Sequence, residues 1–218
     1  MSEYISSIQI AAWLGYLICL YFVLRRLSFR TLLDDKKIQH LVFGCAASVF
    51  FLWIFRTGIY PGLNVHFLWL TALTLILGFH WAVAASCLAL LGITLIGEES
   101  WAMLGVNGLL GTLTPISLSY LFYSFVFHKL PRHIFIYIFV CAFLTGAMMI
   151  GVKMSLLSGF YFLNGDYDWL TIKDNYLVLS TLMLFMEGML NGMTITLLII
   201  YRPEWVYTFY DKIYLEKK

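Results

Sequence analysis

An imidazole and an amide lie in Gly62-Leu63-Asn64-Val65-His66-Phe67-Leu68-Trp69-Leu70, where the chain re-enters an apolar phase. Neutral imidazole ligates divalent first-row metals, and ligand-type groups at membrane depth are costly enough to mark function. The ordinary alternative is a helix-start histidine that hydrogen-bonds locally. Asn107 lies about one turn inside a later apolar block, and Glu98 and Glu99 lie in the connection just before it. Glu187 and Asn191 are four apart in the last block, so they share a helix face. Glu187 falls near mid-membrane, where a carboxylate must be protonated, paired or metal-bound. Its ordinary role would be a hydrogen bond to a neighbouring helix.

The elements that must position these groups are apolar blocks. The 218 residues are 61% hydrophobic and 12% charged, about half the charge of a soluble domain. The apolar residues run in blocks rather than in a 3.6-residue stripe, which predicts an all-α, polytopic membrane bundle forming a single domain over 1–218. The blocks run from about Ile8 to Leu24, Ile38 to Phe55, Val65 to Phe79, Trp81 to Ile96, Met103 to Phe127, Ile134 to Leu157 and Tyr176 to Tyr201. Each approaches the length that crosses ~30 Å of hydrocarbon, although the third is short. The expectation is therefore about seven transmembrane helices.

Orientation follows from Lys and Arg. With the N-terminus outside, the inner loops and tail hold Arg25, Arg26, Arg30, Lys36, Lys37, Lys129, Arg132, Arg202, Lys212, Lys217 and Lys218. The outer ends keep Arg56, Lys153 and Lys173. Eleven against three predicts an extracytoplasmic N-terminus and a cytoplasmic C-terminus. The blocks holding His66 and Asn107 then both begin outside. The expected site is an outward-facing pocket of His66, Asn64, Asn107 and Glu98 or Glu99, with Glu187 and Asn191 below in a gating or structural role. Imidazole plus carboxylate suits Ni, Co, Zn or Mn rather than Cu(I). Binding should weaken as pH falls through the imidazole pKa, roughly 6–7 if unperturbed. The competing reading is that these groups bond one another and simply close the bundle.

Several other features read as structure. Met1-Ser2-Glu3-Tyr4 has no basic n-region, so the first block is expected to be retained rather than cleaved. Gly105, Gly108 and Gly111 form a smooth strip for close helix packing, and Pro115 interrupts the fifth block. Cys19, Cys45, Cys87 and Cys141 fall in separate blocks with no paired spacing. Met183, Met186, Met189 and Met193 follow the Glu187 face and suit packing or Cu(I). His40, His80, His128 and His133 fall at the inner boundary, as interfacial residues or axial haem ligands. The aromatic tail, 202–218, should lie on the cytoplasmic interface. No nucleotide-binding, nucleic-acid-binding or hydrolytic signature occurs, so the chain is not read as an enzyme.

Gly62-Leu63-Asn64-Val65-His66, the apolar run to Gly78, Leu104-Gly105-Val106-Asn107-Gly108, Gly111, Pro115 and Glu187-Gly188 occur in that order. In these motifs, over roughly 60–200, the chain resembles the CbiM/NikM family. These are the membrane substrate-capture subunits of energy-coupling-factor cobalt and nickel transporters. The resemblance implies a helical bundle in the bacterial cytoplasmic (inner) membrane that captures a divalent transition metal. It also implies a partner transmembrane scaffold and cytoplasmic ATPases, since this chain has no nucleotide site. It matches His66 to the family's metal-binding histidine, Asn107 to the Asn of its Gly-x-Asn segment, and Glu187 to the acid of its late Glu-Gly pair. The family's metal site also uses an N-terminal Met-His, where this chain reads Met1-Ser2-Glu3. The ligand set is therefore expected to have changed, to His66 with Asn64 and Glu98 or Glu99, or metal transport to have been lost. The alternative function is a non-transporting membrane subunit, such as a haem-binding electron carrier or an assembly protein.

Overall fold

Six helices of the computed structural model, which describes residues 5–210 and 214, are long and apolar enough to cross a membrane. They are α1 (Ser7–Arg25), α3 (Lys36–Ile54), α4 (Leu70–Leu95), and three compound helices. The compound helices are α5–α6 (Trp101–Val106 and Thr114–Lys129), α7–α8 (Ile134–Ile136 and Thr145–Leu163) and α9–α10 (Trp169–Ile172 and Val178–Tyr201). Each compound helix is joined by a π-helical stretch: Asn107–Leu113, Tyr137–Leu144 and Lys173–Leu177. A short helix, α2 (Phe29–Asp34), links α1 to α3. Among the described residues there is no strand, only one isolated bridge between Thr57 and Val65.

Local sequence explains the starts. Ser6 and Gln9 close a reciprocal capping box on α1, and Asp35 accepts from Lys37 and Ile38 at the start of α3. Asp168 caps α9, and the Thr171 hydroxyl and N–H hold its carboxyl below the usual range. Pro115 lacks an N–H, and the π-stretch before it relaxes the ladder. The hydroxyls of Thr112 and Thr114 cover the carbonyls of Gly108 and Leu109 there. The glycine strip serves close packing as expected. A Cβ on Gly105 would meet the Trp13 backbone, and one on Gly108 the Tyr16 ring.

α4 is two arms rather than one rod. Gly78 breaks it at φ 72°, ψ 172°, a conformation essentially confined to glycine. The first arm, residues 70–77, runs alongside α10: Glu187 bonds Leu68 and Trp69, and four residues on, Asn191 bonds Ala72. It ends under the C-terminal segment, where Tyr207 and Thr208 donate to the carbonyls of Ile76 and Leu75. The second arm returns. Trp81 packs on Phe29, just past the end of α1, whereas Gly92 lies against Phe50 near the end of α3. Beyond it, Glu98 and Glu99 meet Arg56.

The chain therefore makes seven passes, six in continuous helices and one in a half-helix of about 12 Å preceded by an extended segment. This refines the expected seven helices: blocks three and four are the two arms of α4. With seven passes, the start of α1 and the end of α10 lie at opposite ends of the bundle. These are named here the pocket end (Arg56, Glu99, Tyr161) and the tail end (Trp81, Tyr123, Tyr207).

The half-helix is the core. Every residue from Leu70 to Gly78 is buried. By contrast α1 exposes Leu14, Ile18 and Phe22, and α10 exposes Leu182, Phe185 and Leu197, as lipid-facing helices do. Met186, Met189 and Met193 are exposed on that outer face, so they do not follow the Glu187 side as the spacing suggested. Residues 203–210 fold back beneath the bundle. Val206, Thr208 and Phe209 are buried while Trp205, Tyr207 and Tyr210 are exposed, so part of the tail is core rather than interface. Residues 211–213 and 215–218 of that tail lie outside the described residues.

Candidate metal-capture site

Two polar clusters lie one above the other around the start of the half-helix. The lower is built on Glu187. Its Oε2 accepts from the Leu68 N–H at 2.8 Å and its Oε1 from the Trp69 N–H at 2.7 Å. The Asn191 amide donates to the same Oε1 at 2.7 Å, and Asn191 Oδ1 accepts from the Ala72 N–H at 2.7 Å. A helix that begins inside a membrane has backbone N–H groups with no intrahelical partner and no water. One carboxylate and one amide of α10 supply those partners. The positive end of the half-helix in turn favours the negative charge of Glu187. Trp69, left-handed at φ 57°, makes the turn into the helix, and its indole N–H is held by Thr194. Glu187 and Asn191 thus bond α10 to the start of the half-helix.

The upper cluster surrounds a cavity of ≈ 20 Å³, enough for one water-sized guest. His66, Asn64, Glu99 and Asn107 line it, together with Arg56 and Lys153. The structure thus brings together four of the five residues expected there. Glu98, the fifth, is exposed, does not line the cavity, and contributes its carbonyl to Arg56 at 3.2 Å. Arg56 forms a pair with Glu99 Oε1 at 2.6 Å, and Glu99 Oε2 accepts from the Asn107 amide at 3.0 Å. The Arg56 Nε also donates to the Trp53 carbonyl at the end of α3, so the guanidinium is anchored at both sides. Asn107 begins the π-stretch, where the widened turn sets its side chain beside Gly111.

The tautomer of His66 follows from its partners. Nδ1 lies 3.0 Å from the Phe67 carbonyl, which can only accept, so Nδ1 carries the proton. Nε2 then presents a lone pair, and Lys153 Nζ donates to it at 2.7 Å. Trp53 packs on the ring at 5.5 Å and fixes its plane. Sequence reading missed Lys153 and Arg56 as site residues because both were counted as charges flanking the outer ends of blocks. The available signal was the one applied to Glu187: Lys153 lies inside its apolar block.

Among the described residues no three His, Cys, Asp or Glu side chains converge as a metal cage. A metal ion held here would use His66 Nε2 with amide and carboxylate oxygens, and would reach Nε2 only after Lys153 withdrew. The remaining histidines stand apart. His40, His128 and His133 are exposed at the tail end, and His128 and His133 use Nδ1 for local backbone bonds.

Comparison with known proteins follows this geometry. A crystal structure described as a truncated transition metal transporter superposes with a TM-score of 0.72 at 18% identity, covering 88% of this chain and 94% of that one. That likeness is one of fold. Among curated proteins none matches the chain significantly. The family described as the cobalt uptake substrate-specific transmembrane region, CbiM, matches residues 5–205, which include every residue of both polar clusters. This chain therefore belongs to the CbiM family and is a membrane component of cobalt/nickel-type uptake.

Proposed function

We propose that the upper cavity is where this uptake component captures its substrate, a divalent transition-metal ion of the cobalt or nickel kind. The observation that carries the reading is the cavity of ≈ 20 Å³ beside His66 Nε2, in a chain of a cobalt-uptake family. His66 supplies the imidazole, Asn64 and Asn107 supply amide oxygens, and Glu99 supplies a carboxylate, a mixed donor set that suits borderline divalent ions. Glu98 remains a candidate only as a surface carboxylate near the mouth. The Lys and Arg distribution supports placing the pocket end outside and the tail end in the cytoplasm of a bacterial inner membrane. Capture from outside then fits the family's work, and a separate scaffold subunit and ATPases would drive the release inward. The chain acts as one transmembrane domain, with the described part of the tail, 202–210, at the cytoplasmic face.

Equilibrium dialysis of the detergent-purified chain against cobalt or nickel chloride tests the reading. One ion should bind per wild-type chain, and His66→Ala should lose that binding. Equal binding by the two proteins would refute the site.

A further inference from the structure

Three features stand outside the functions described so far: an apolar groove between Phe139 and Met193 on the lipid-facing side of α10, the unpartnered Tyr16 and Ser158 hydroxyls in the interior, and the buried amino group of Lys153. Only the last bears on chemistry already placed. Lys153 is 6% exposed, in the middle of the bundle, and no carboxylate pairs with it. The ion pairs among the described residues are Arg30–Asp34, Arg56–Glu99 and Arg202–Glu204. The two acids nearest to it are engaged elsewhere. Glu99 holds Arg56 and Asn107, and Glu187 holds two backbone N–H groups and Asn191. The one hydrogen bond of the Lys153 amino group is to the lone pair of a neutral imidazole. A buried lysine amino group whose one hydrogen bond is to a neutral base is an unusual arrangement, because buried lysines are normally paired.

That lone pair is also the strongest metal donor in the cavity. It can accept an N–H or bind a metal ion at about 2.1 Å, and it cannot do both. The other ring nitrogen is committed to Phe67. As built, the pocket therefore holds the Arg56 guanidinium and the Lys153 amino group beside one carboxylate, Glu99, and its best donor is covered by that amino group.

We infer that Lys153 sets the affinity threshold of this pocket: its amino group is a tethered donor, seated on His66, that a metal ion must displace. The inference rests on the metal-capture reading of the same cavity. On binding, the N–H···N hydrogen bond breaks and a metal–Nε2 bond forms, with no change of oxidation state. Lys153 swings on its flexible four-carbon stem, and Gly111, which carries no Cβ, adjoins its Cε. The consequence is a raised threshold. Displacing the amino group costs every ion the same, so at a given concentration only ions that bind imidazole strongly, those high in the Irving–Williams order, fill the site.

Lys153→Met tests this, because methionine keeps the apolar stem and leaves no acid orphaned. Dialysis against cobalt or nickel chloride alone should show binding at least about tenfold tighter than wild type. Binding of manganese chloride should tighten by the same factor, because the displacement cost is common to every ion. Lys153→Arg, which keeps an N–H donor in place, should show no gain, and the double variant Lys153→Met/His66→Ala should lose the gain altogether. Binding by Lys153→Met equal to or weaker than wild type overturns the inference, as does a gain that survives removal of His66. If wild type binds and Lys153→Met shows no gain, only the inference fails. If wild type and the Lys153→Met protein both fail to bind, both readings fall. If only the variant binds, the tethered donor stands and wild-type cobalt or nickel capture does not.

Discussion

The two polar clusters around the half-helix are built from similar groups and end in different states. In the lower one, both Glu187 oxygens and both ends of the Asn191 amide are engaged, largely with backbone that would otherwise be unpaired. In the upper one, the Asn64 amide makes no hydrogen bond among the described residues, a cavity adjoins it, and His66 is held by a side chain that can leave. A fully satisfied buried network rigidifies, and a partly satisfied one beside a void retains donors for a guest. The difference separates the polar groups that make the fold possible from those that have capacity left to bind.

Breaking the lower cluster should have the largest effect. Glu187→Ala leaves the Leu68 and Trp69 N–H groups buried without acceptors, at a cost of about 4 kcal/mol. A melting scan in detergent should drop by roughly 10 °C. Cobalt binding should fall only in proportion to the folded fraction. A stable Glu187→Ala protein that loses cobalt specifically would move the metal to the lower cluster and undo the comparison.

Arg56→Ala should be milder. Arg56 and Glu99 are only 7% and 17% exposed as side chains, but Glu99 keeps Asn107 as a donor. The expected loss is about 2 kcal/mol in the same melting scan. Metal binding should tighten, because a cation is removed and a Glu99 oxygen freed. Loss of binding would show that the pair shapes the site rather than covers it.

How far the sequence revealed these differences depends on what each required. The seven passes were legible in block lengths and in the Lys and Arg count, because crossing a bilayer constrains both. The half-helix was not legible. Residues 70–77 and 79–95 read as two apolar blocks whether or not one is a full span, and what marks the break, a positive φ at Gly78 under Tyr207, is tertiary. Depth alone grouped His66, Asn64, Asn107 and Glu99, since all are near the same end of their segments. Depth could not separate Glu98 from Glu99, because adjacent residues differ in direction rather than height. Glu187 was marked as costly, yet its partners are backbone groups 118 and 119 residues away, which no spacing rule reaches. Lys153 and Arg56 were hidden by the topology count itself, which treats a charge near a segment end as a flank.

The smallest structural effect should come from Asn64, and it is the finest test of the distinction. Asn64 is half-buried beside the cavity and holds nothing in place by hydrogen bonding. If unsatisfied groups around a void are there for a guest, Asn64→Ala should leave the melting temperature almost unchanged, within about 0.5 kcal/mol. Cobalt binding should nevertheless weaken by about tenfold, or ~1.4 kcal/mol, as an amide donor is lost. Glu187→Ala predicts the reverse ratio, a large loss of stability with little specific loss of binding. Measuring melting and dialysis on the two proteins side by side places each residue on a plane of stability against affinity. Opposite corners are expected. If Asn64→Ala instead unfolds early and binds cobalt as wild type does, the amide supports the loop over 55–69, and an unfilled hydrogen bond is no guide to function in this bundle.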